Sequence, residues 1–225
     1  MLTLGIDDAG RGPLIGPMIL AGVLLNSEQE KFLKKHNVRD SKVVEHPMRV
    51  KLSKIIKEGS EGFFVVKATP EEIDSAIISG KNLNTLEAMK MAEVINEIND
   101  GKFRKLEIKV IVDCPSVNIR AWQGTLMHYL KNIENLDLHC EHKADVNHPA
   151  VSAASILAKV AREEAVAKLK KEFGDIGSGY PSDPNTIKFL KKYGKKYENS
   201  GIFRKSWSTW KSLFSEPGQK TMNDF

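Results

Sequence analysis

Asp7 and Asp8 stand side by side at the end of an apolar run and lead straight into Ala9-Gly-Arg-Gly12. Two carboxylates held close repel, and a proton is driven onto one of them unless a cation sits between. A divalent metal is the simplest remedy. Adjacent strand residues point to opposite faces, so the two acids share a site only if Asp8 lies at the strand end where the chain begins to turn, which Ala9-Gly10 permits. Two further acids have similar settings. Asp113 ends the run Val110-Ile-Val-Asp113, and Asp145 lies just before a helix opened by Pro149. Mixed α/β sheets keep their sites at the C-terminal ends of strands and at helix entrances. The structural alternatives are a turn for Asp113 and a helix-cap neighbour for Asp145. Hard oxygen ligands without histidine or thiolate favour Mg2+ or Mn2+ over zinc. Two such ions activate a water and stabilise the leaving oxygen in a displacement at phosphorus.

The elements that must position these acids follow from periodicity and turn chemistry. Apolar, β-branched runs at residues 2–6, 18–25, 63–68, 107–112 and 136–140 predict strands. The first two are joined by Gly and Pro turn residues rather than a long helix, which predicts an antiparallel opening, and later strands alternate with helices, so the sheet is mixed. Thr69-Pro-Glu-Glu72 is a capping box, Asn84-Thr-Leu-Glu87 opens a helix with Ala88, Ala92, Ile95 and Ile98 on one face, and Pro149 starts an Ala-rich helix that stops at Gly174. Residues 1–174 are expected to form a catalytic domain. A small helical appendage follows over 175–215, and 216–225 are expected to be a mobile tail.

The 225 residues, 41% hydrophobic and 28% charged, suffice for one real core and a small appendage. No apolar run is long enough for a membrane span, and two cysteines, Cys114 and Cys140, are too few for a disulfide framework or a thiolate zinc site. The expectation is a cytoplasmic, monomeric protein. A net charge of +5 fits an anionic partner, although a lysine-rich surface alone gives the same balance.

Taken together, Gly5-Ile-Asp-Asp-Ala-Gly-Arg-Gly12, Gly16-Pro17, Asp40-Ser-Lys42, Ile111-Val-Asp113, Glu141-His-Lys-Ala-Asp145, Val151-Ser-Ala-Ala-Ser155 and Gly177-Ser-Gly-Tyr-Pro-Ser-Asp183 resemble the ribonuclease HII family, most closely its archaeal form. The resemblance implies an RNase H-like α/β fold, a five-stranded mixed sheet flanked by helices with a C-terminal helical part. It also implies cleavage of the RNA of RNA/DNA hybrids and of single ribonucleotides in duplex DNA, leaving 3′-hydroxyl and 5′-phosphate ends. Asp7, Asp8, Asp113 and Asp145 would be catalytic metal ligands for two Mg2+ or Mn2+ ions. The backbone of Gly10, Arg11 and Gly12 would sense the ribose 2′-hydroxyl, Tyr180 would stack on the sugar at the RNA-to-DNA junction, and Lys42 and Lys143 would contact phosphates. Ser152 and Ser155 either support the site or serve close helix packing.

The family's second acid is normally glutamate. Here it is Asp8, shorter by one methylene, roughly 1.5 Å of reach, which implies slower turnover or a shifted metal preference. The tail, with Gln219, Met222 and Phe225, resembles the peptide by which replication and repair proteins bind the sliding clamp. Two other readings stand beside the nuclease. Gly5-Ile-Asp-Asp-Ala-Gly10 is similar to the first phosphate loop of actin-like sugar kinases, but those need two such domains. A non-catalytic or weakly active hybrid-binding protein with a failed metal site is the other.

Overall fold

The computed structural model describes residues 1–36, 38 and 45–214. Lys42 and the tail residues Gln219, Met222 and Phe225 lie outside the described residues.

Strands β1 (Leu2–Ala9), β2 (Met18–Asn26), β3 (Gly62–Ala68), β4 (Ile108–Asp113) and β5 (Leu136–Glu141) form one sheet in the order β3-β2-β1-β4-β5. The β1–β2 and β2–β3 pairs are antiparallel, while β1–β4 and β4–β5 are parallel. This is the mixed sheet expected from the sequence. A loop over residues 10–17 joins β1 to β2 and helical segments intervene before β3, while the parallel neighbours need the helical crossovers that the later chain supplies. The helices are α1 (Ser27–Lys35), α2 (His46–Gly59), α3 (Pro70–Ile78), α4 (Leu83–Ile98), α5 (Ile119–His128), α6 (Ala144–Asn147), α7 (Pro149–Phe173), α8 (Pro184–Tyr193) and α9 (Ser208–Phe214). Among the described residues none is long and apolar enough to cross a membrane.

Alternation along β1 and β2 feeds two cores on opposite faces of the sheet. Leu4, Ile6, Leu20 and Leu24 pack with Met91, Ile95 and Trp122 from α4 and α5. Ala21, Val23 and Leu25 pack with Ala153, Ala154 and Leu157 from α7. The α7 contact is close because Gly5 has no side chain: a Cβ there would lie 2.1 Å from the carbonyl carbon of Ala150. A third core joins the two ends of the chain. Leu14 and Ile15, from the loop after β1, are buried with Ile176, Phe189, Leu190, Phe203 and Trp210. Backbone bonds reinforce it, from Leu14 N–H to Gly179 O at 2.7 Å and from Gly16 N–H to Ile202 O at 2.9 Å.

Helix α3 opens on the expected capping box, with Thr69 N–H donating to Glu72 Oε2 at 2.7 Å and Glu72 N–H to Thr69 Oγ1 at 3.2 Å. Helix α4 corrects the sequence reading. Its cap is Asn82, whose Oδ1 accepts from Thr85 N–H at 2.9 Å, so Asn84 and Glu87 lie inside the helix, free of capping duty. Helices α1, α2 and α5 go beyond the sequence expectation. The capping box of Asn26 and Gln29 starts α1 directly where β2 ends, with no turn residue to announce it.

Candidate active site

The turn falls one residue later than the sequence reading required. β1 continues through Ala9, and Asp8 still pairs with Leu20 in the ladder while Asp7 pairs with Ala21. The two acids therefore leave the strand on opposite faces, yet remain coupled: Asp8 N–H donates to Asp7 Oδ1 at 2.7 Å. Asp7 is buried on the α7 side, where Ser155 hydrogen-bonds it. Ile6 lies opposite Val112 in the parallel pair, so Asp113 is the next residue of β4 as Asp7 is of β1. Asp113 Oδ1 accepts from Ala144 N–H at 2.9 Å. Asp145, the next residue of α6, is buried. Lys143 precedes them, exposed and with φ +56°, a left-handed conformation that costs a lysine energy.

Burial, with repulsion by Asp8 and Asp113 added, pushes the pKa of Asp7 well above the ordinary carboxylate range, against the hydrogen bonds from Ser155 and Asp8. Burial lifts Asp8 to about 6; Arg11 opposes the rise, Asp113 adds to it, and Lys159 and Arg204 oppose it. Three mutually repelling, oxygen-only groups are the donor chemistry of a hard divalent cation. Among the described residues no three His, Cys, Asp or Glu side chains close on one point as a finished ligand set. The residues fit such an ion in donor type and charge, standing around the position rather than enclosing it.

The loop after β1 is held from several sides. Gly10 takes φ +87°, and a Cβ there would lie 2.3 Å from Arg162 Cδ, so only glycine fits. The Arg11 guanidinium pairs with Glu87 and donates to Asn84, both on α4. Arg204, fully buried, donates to Gly10 O at 2.6 Å, Arg11 O at 2.7 Å and Gly16 O at 3.0 Å, and Trp207 Nε1 donates to Gly12 O at 3.1 Å. Tyr180 lies beside the loop: a Cβ on Gly12 would be 3.5 Å from its ring. The Arg162 guanidinium lies 5.8 Å from the Tyr180 ring centre and donates to Pro17 O at 2.9 Å. Gly10, Arg11, Gly12, Arg162 and Tyr180 border a groove of about 680 Å³ that Asp8, Lys159, Lys170 and His46 also line. On its rim Glu163 pairs with both His46 and Arg49.

Asp7, Asp8 and Asp113 are thus brought into mutual electrostatic reach, with Asp145 following the N–H that binds Asp113. Gly10, Arg11, Gly12 and Tyr180 gather at the groove. The sequence reading missed Glu87, Asn84, Arg162, Arg204 and Trp207. For Arg162 a signal existed, since it lies seven residues after Ser155 on the same stripe of α7.

The ribonuclease HII family model matches residues 4–210. A ribonuclease HII of Methanocaldococcus jannaschii is 37% identical over 226 residues, covering 97% of this chain and 97% of the relative. The crystal structure of ribonuclease H2 from Pyrococcus horikoshii superposes with a TM-score of 0.83 at 34% identity, over 95% of this chain and 97% of that one. A complex of PCNA with ribonuclease HII from Archaeoglobus fulgidus contains a chain matching at a TM-score of 0.79 and 34% identity, over the full length of both. Sequence and fold agree with these proteins over nearly the whole length, and the chain belongs to the ribonuclease HII family of metal-dependent endoribonucleases, which cleave the RNA of RNA/DNA hybrids and ribonucleotides within DNA.

Proposed function

We propose that this chain hydrolyses the phosphodiester next to a ribonucleotide, leaving 3′-hydroxyl and 5′-phosphate ends, with Asp7, Asp8, Asp113 and Asp145 holding two divalent ions, Mg2+ or Mn2+. The observation that carries the reading is the meeting of Asp7, Asp8 and Asp113 at adjoining strand ends beside the groove of Gly10–Gly12 and Tyr180. When bound, the cations would lower the pKa of a water and offset charge on the departing oxygen. The chain's own contribution is positioning. Ser155 and Asp8 N–H orient the Asp7 carboxylate, and Ala144 N–H orients Asp113. The backbone of Gly10, Arg11 and Gly12 approaches the ribose 2′-hydroxyl, Tyr180 stacks on the neighbouring sugar, and Lys143 takes a phosphate. Residues 1–174 carry the chemistry and 175–215 hold the substrate. The neighbouring PCNA complex supports a further role for the tail, with Gln219, Met222 and Phe225 docking on the sliding clamp.

The deciding assay offers a duplex with one embedded ribonucleotide, with Mg2+ or Mn2+ supplied. Cleavage at the ribonucleotide with the stated ends is expected. Tight binding with no cleavage under either metal would instead identify the non-catalytic hybrid binder, the reading favoured by Asp8 where the family normally has glutamate. For the clamp, titrations of the full chain and of a chain cut after Glu216 should differ; equal affinities remove that role.

A further inference from the structure

The loop Gly10-Arg11-Gly12 owes its orientation to groups nearly two hundred residues away. In a trans peptide the carbonyl of one residue and the N–H of the next point to opposite sides of one rigid plane. Arg204 holds the carbonyls of Gly10 and Arg11, so the N–H groups of Arg11 and Gly12 are both turned away from it. Gly12 precedes Pro13, which has no N–H, and its carbonyl is taken by Trp207 Nε1. The Trp207 ring also covers Arg204, whose guanidinium lies 5.0 Å from the ring centre. All three carbonyls of the loop are thus satisfied from the C-terminal segment, leaving the loop to present donors on its other side, where Tyr180 borders Gly12. A 2′-hydroxyl accepts from such donors; a deoxyribose has nothing there to accept.

We propose that Arg204 and Trp207 are positioning residues for ribonucleotide discrimination: by fixing the carbonyls of Gly10, Arg11 and Gly12 they aim the Arg11 and Gly12 N–H groups at the 2′-hydroxyl. The segment after α8 then supplies specificity as well as substrate area. This rests on the nuclease reading above. It differs from a general packing role because a packing defect weakens every duplex alike, whereas a rotated peptide weakens only the one carrying a 2′-hydroxyl.

The test compares the full-length chain with Trp207→Phe, which keeps a ring over Arg204 but removes the indole N–H, and with Arg204→Lys, which keeps the charge but loses the fork that spans three carbonyls. Affinities are measured by fluorescence anisotropy, without divalent cation so that nothing is cleaved, for a duplex with one ribonucleotide and for the same duplex made wholly of DNA. Arg204→Lys is expected to reduce the preference for the ribonucleotide duplex about tenfold and Trp207→Phe about threefold, each with all-DNA affinity held within about twofold. Thermal unfolding establishes that each variant is folded, and Trp207→Phe decides alone if Arg204→Lys is not. An unchanged preference, or equal losses on both duplexes, overturns the proposal. A wild-type chain with no preference at all would instead overturn the substrate reading on which it rests.

Discussion

Arg11, beside the paired acids on the loop after β1, forms its ion pair with Glu87, a carboxylate on α4 with no solvent exposure. A buried charge that loses its partner is costly, because nothing else repays its desolvation. Arg11→Ala should therefore lower the unfolding free energy by about 3 kcal/mol, and adding Glu87→Gln should recover part of the loss by removing the stranded charge. Urea unfolding of wild type, both single variants and the double variant measures the coupling. Equal stability of Arg11→Ala and wild type would mean the pair contributes nothing to the fold.

Asp8 gives a pH dependence whose sign is fixed. Its folded pKa of about 6 lies above the ordinary 3.8, so the folded chain binds this proton more tightly than the unfolded one. The stability it contributes is fully present below about pH 4 and is lost as pH rises through about 6. Asp8→Asn should then raise stability at pH 7.5, without divalent metal, by up to about 3 kcal/mol, with little effect at pH 4. Added Mg2+ or Mn2+ should raise the Tm of wild type at pH 7.5 more than that of the variant. Calorimetry at the two pH values, with and without metal, checks both statements. A destabilised Asp8→Asn at pH 7.5 would contradict them.

The parts of this molecule legible in its sequence are those written in local pattern. The strand runs, the Thr69 capping box and the helix from Pro149 to Gly174 each declare themselves within a few residues, since side-chain alternation and cap chemistry are short-range. That Asp7, Asp8 and Asp113 come within electrostatic reach of one another was legible because carboxylates at strand ends carry their own signal. Arg204 and Glu87 were not. A buried arginine serving three distant carbonyls reads, in the chain, like any other surface cation. Asn84 and Glu87 fit the local pattern of a helix start, while tertiary structure gives the cap to Asn82 and both side chains to Arg11.

Tyr180 is 41% exposed beside the groove, with the Arg162 guanidinium 5.8 Å from its ring centre. An exposed ring beside the groove is available for stacking on substrate, and a base stacked on an aromatic side chain contributes about 1–3 kcal/mol. Tyr180→Ala should lower kcat/KM on a single-ribonucleotide duplex by about 5- to 150-fold. Tyr180→Phe, which keeps the face and loses only the hydroxyl, should retain most of the activity. Steady-state kinetics on both variants decide between stacking and a purely structural ring, since a structural ring would leave Tyr180→Ala impaired in Tm rather than in kcat/KM.

The ribonuclease HII resemblance implies glutamate where this chain carries Asp8, and the structure adds a second constraint on that position. β1 carries Asp8 in the ladder on the face opposite Asp7, so this carboxylate must reach around the strand end with a side chain one methylene short, roughly 1.5 Å. Ligand positions displaced by that much cost rate, because hard cations such as Mg2+ demand near-ideal coordination. Asp8→Glu should raise the Mg2+-supported rate by about tenfold or more, with a smaller gain under Mn2+. Single-turnover cleavage of a one-ribonucleotide duplex under each metal measures this directly. No gain under either ion would show that the strand end already delivers the shorter carboxylate where it is needed, and that this site has been tuned around aspartate.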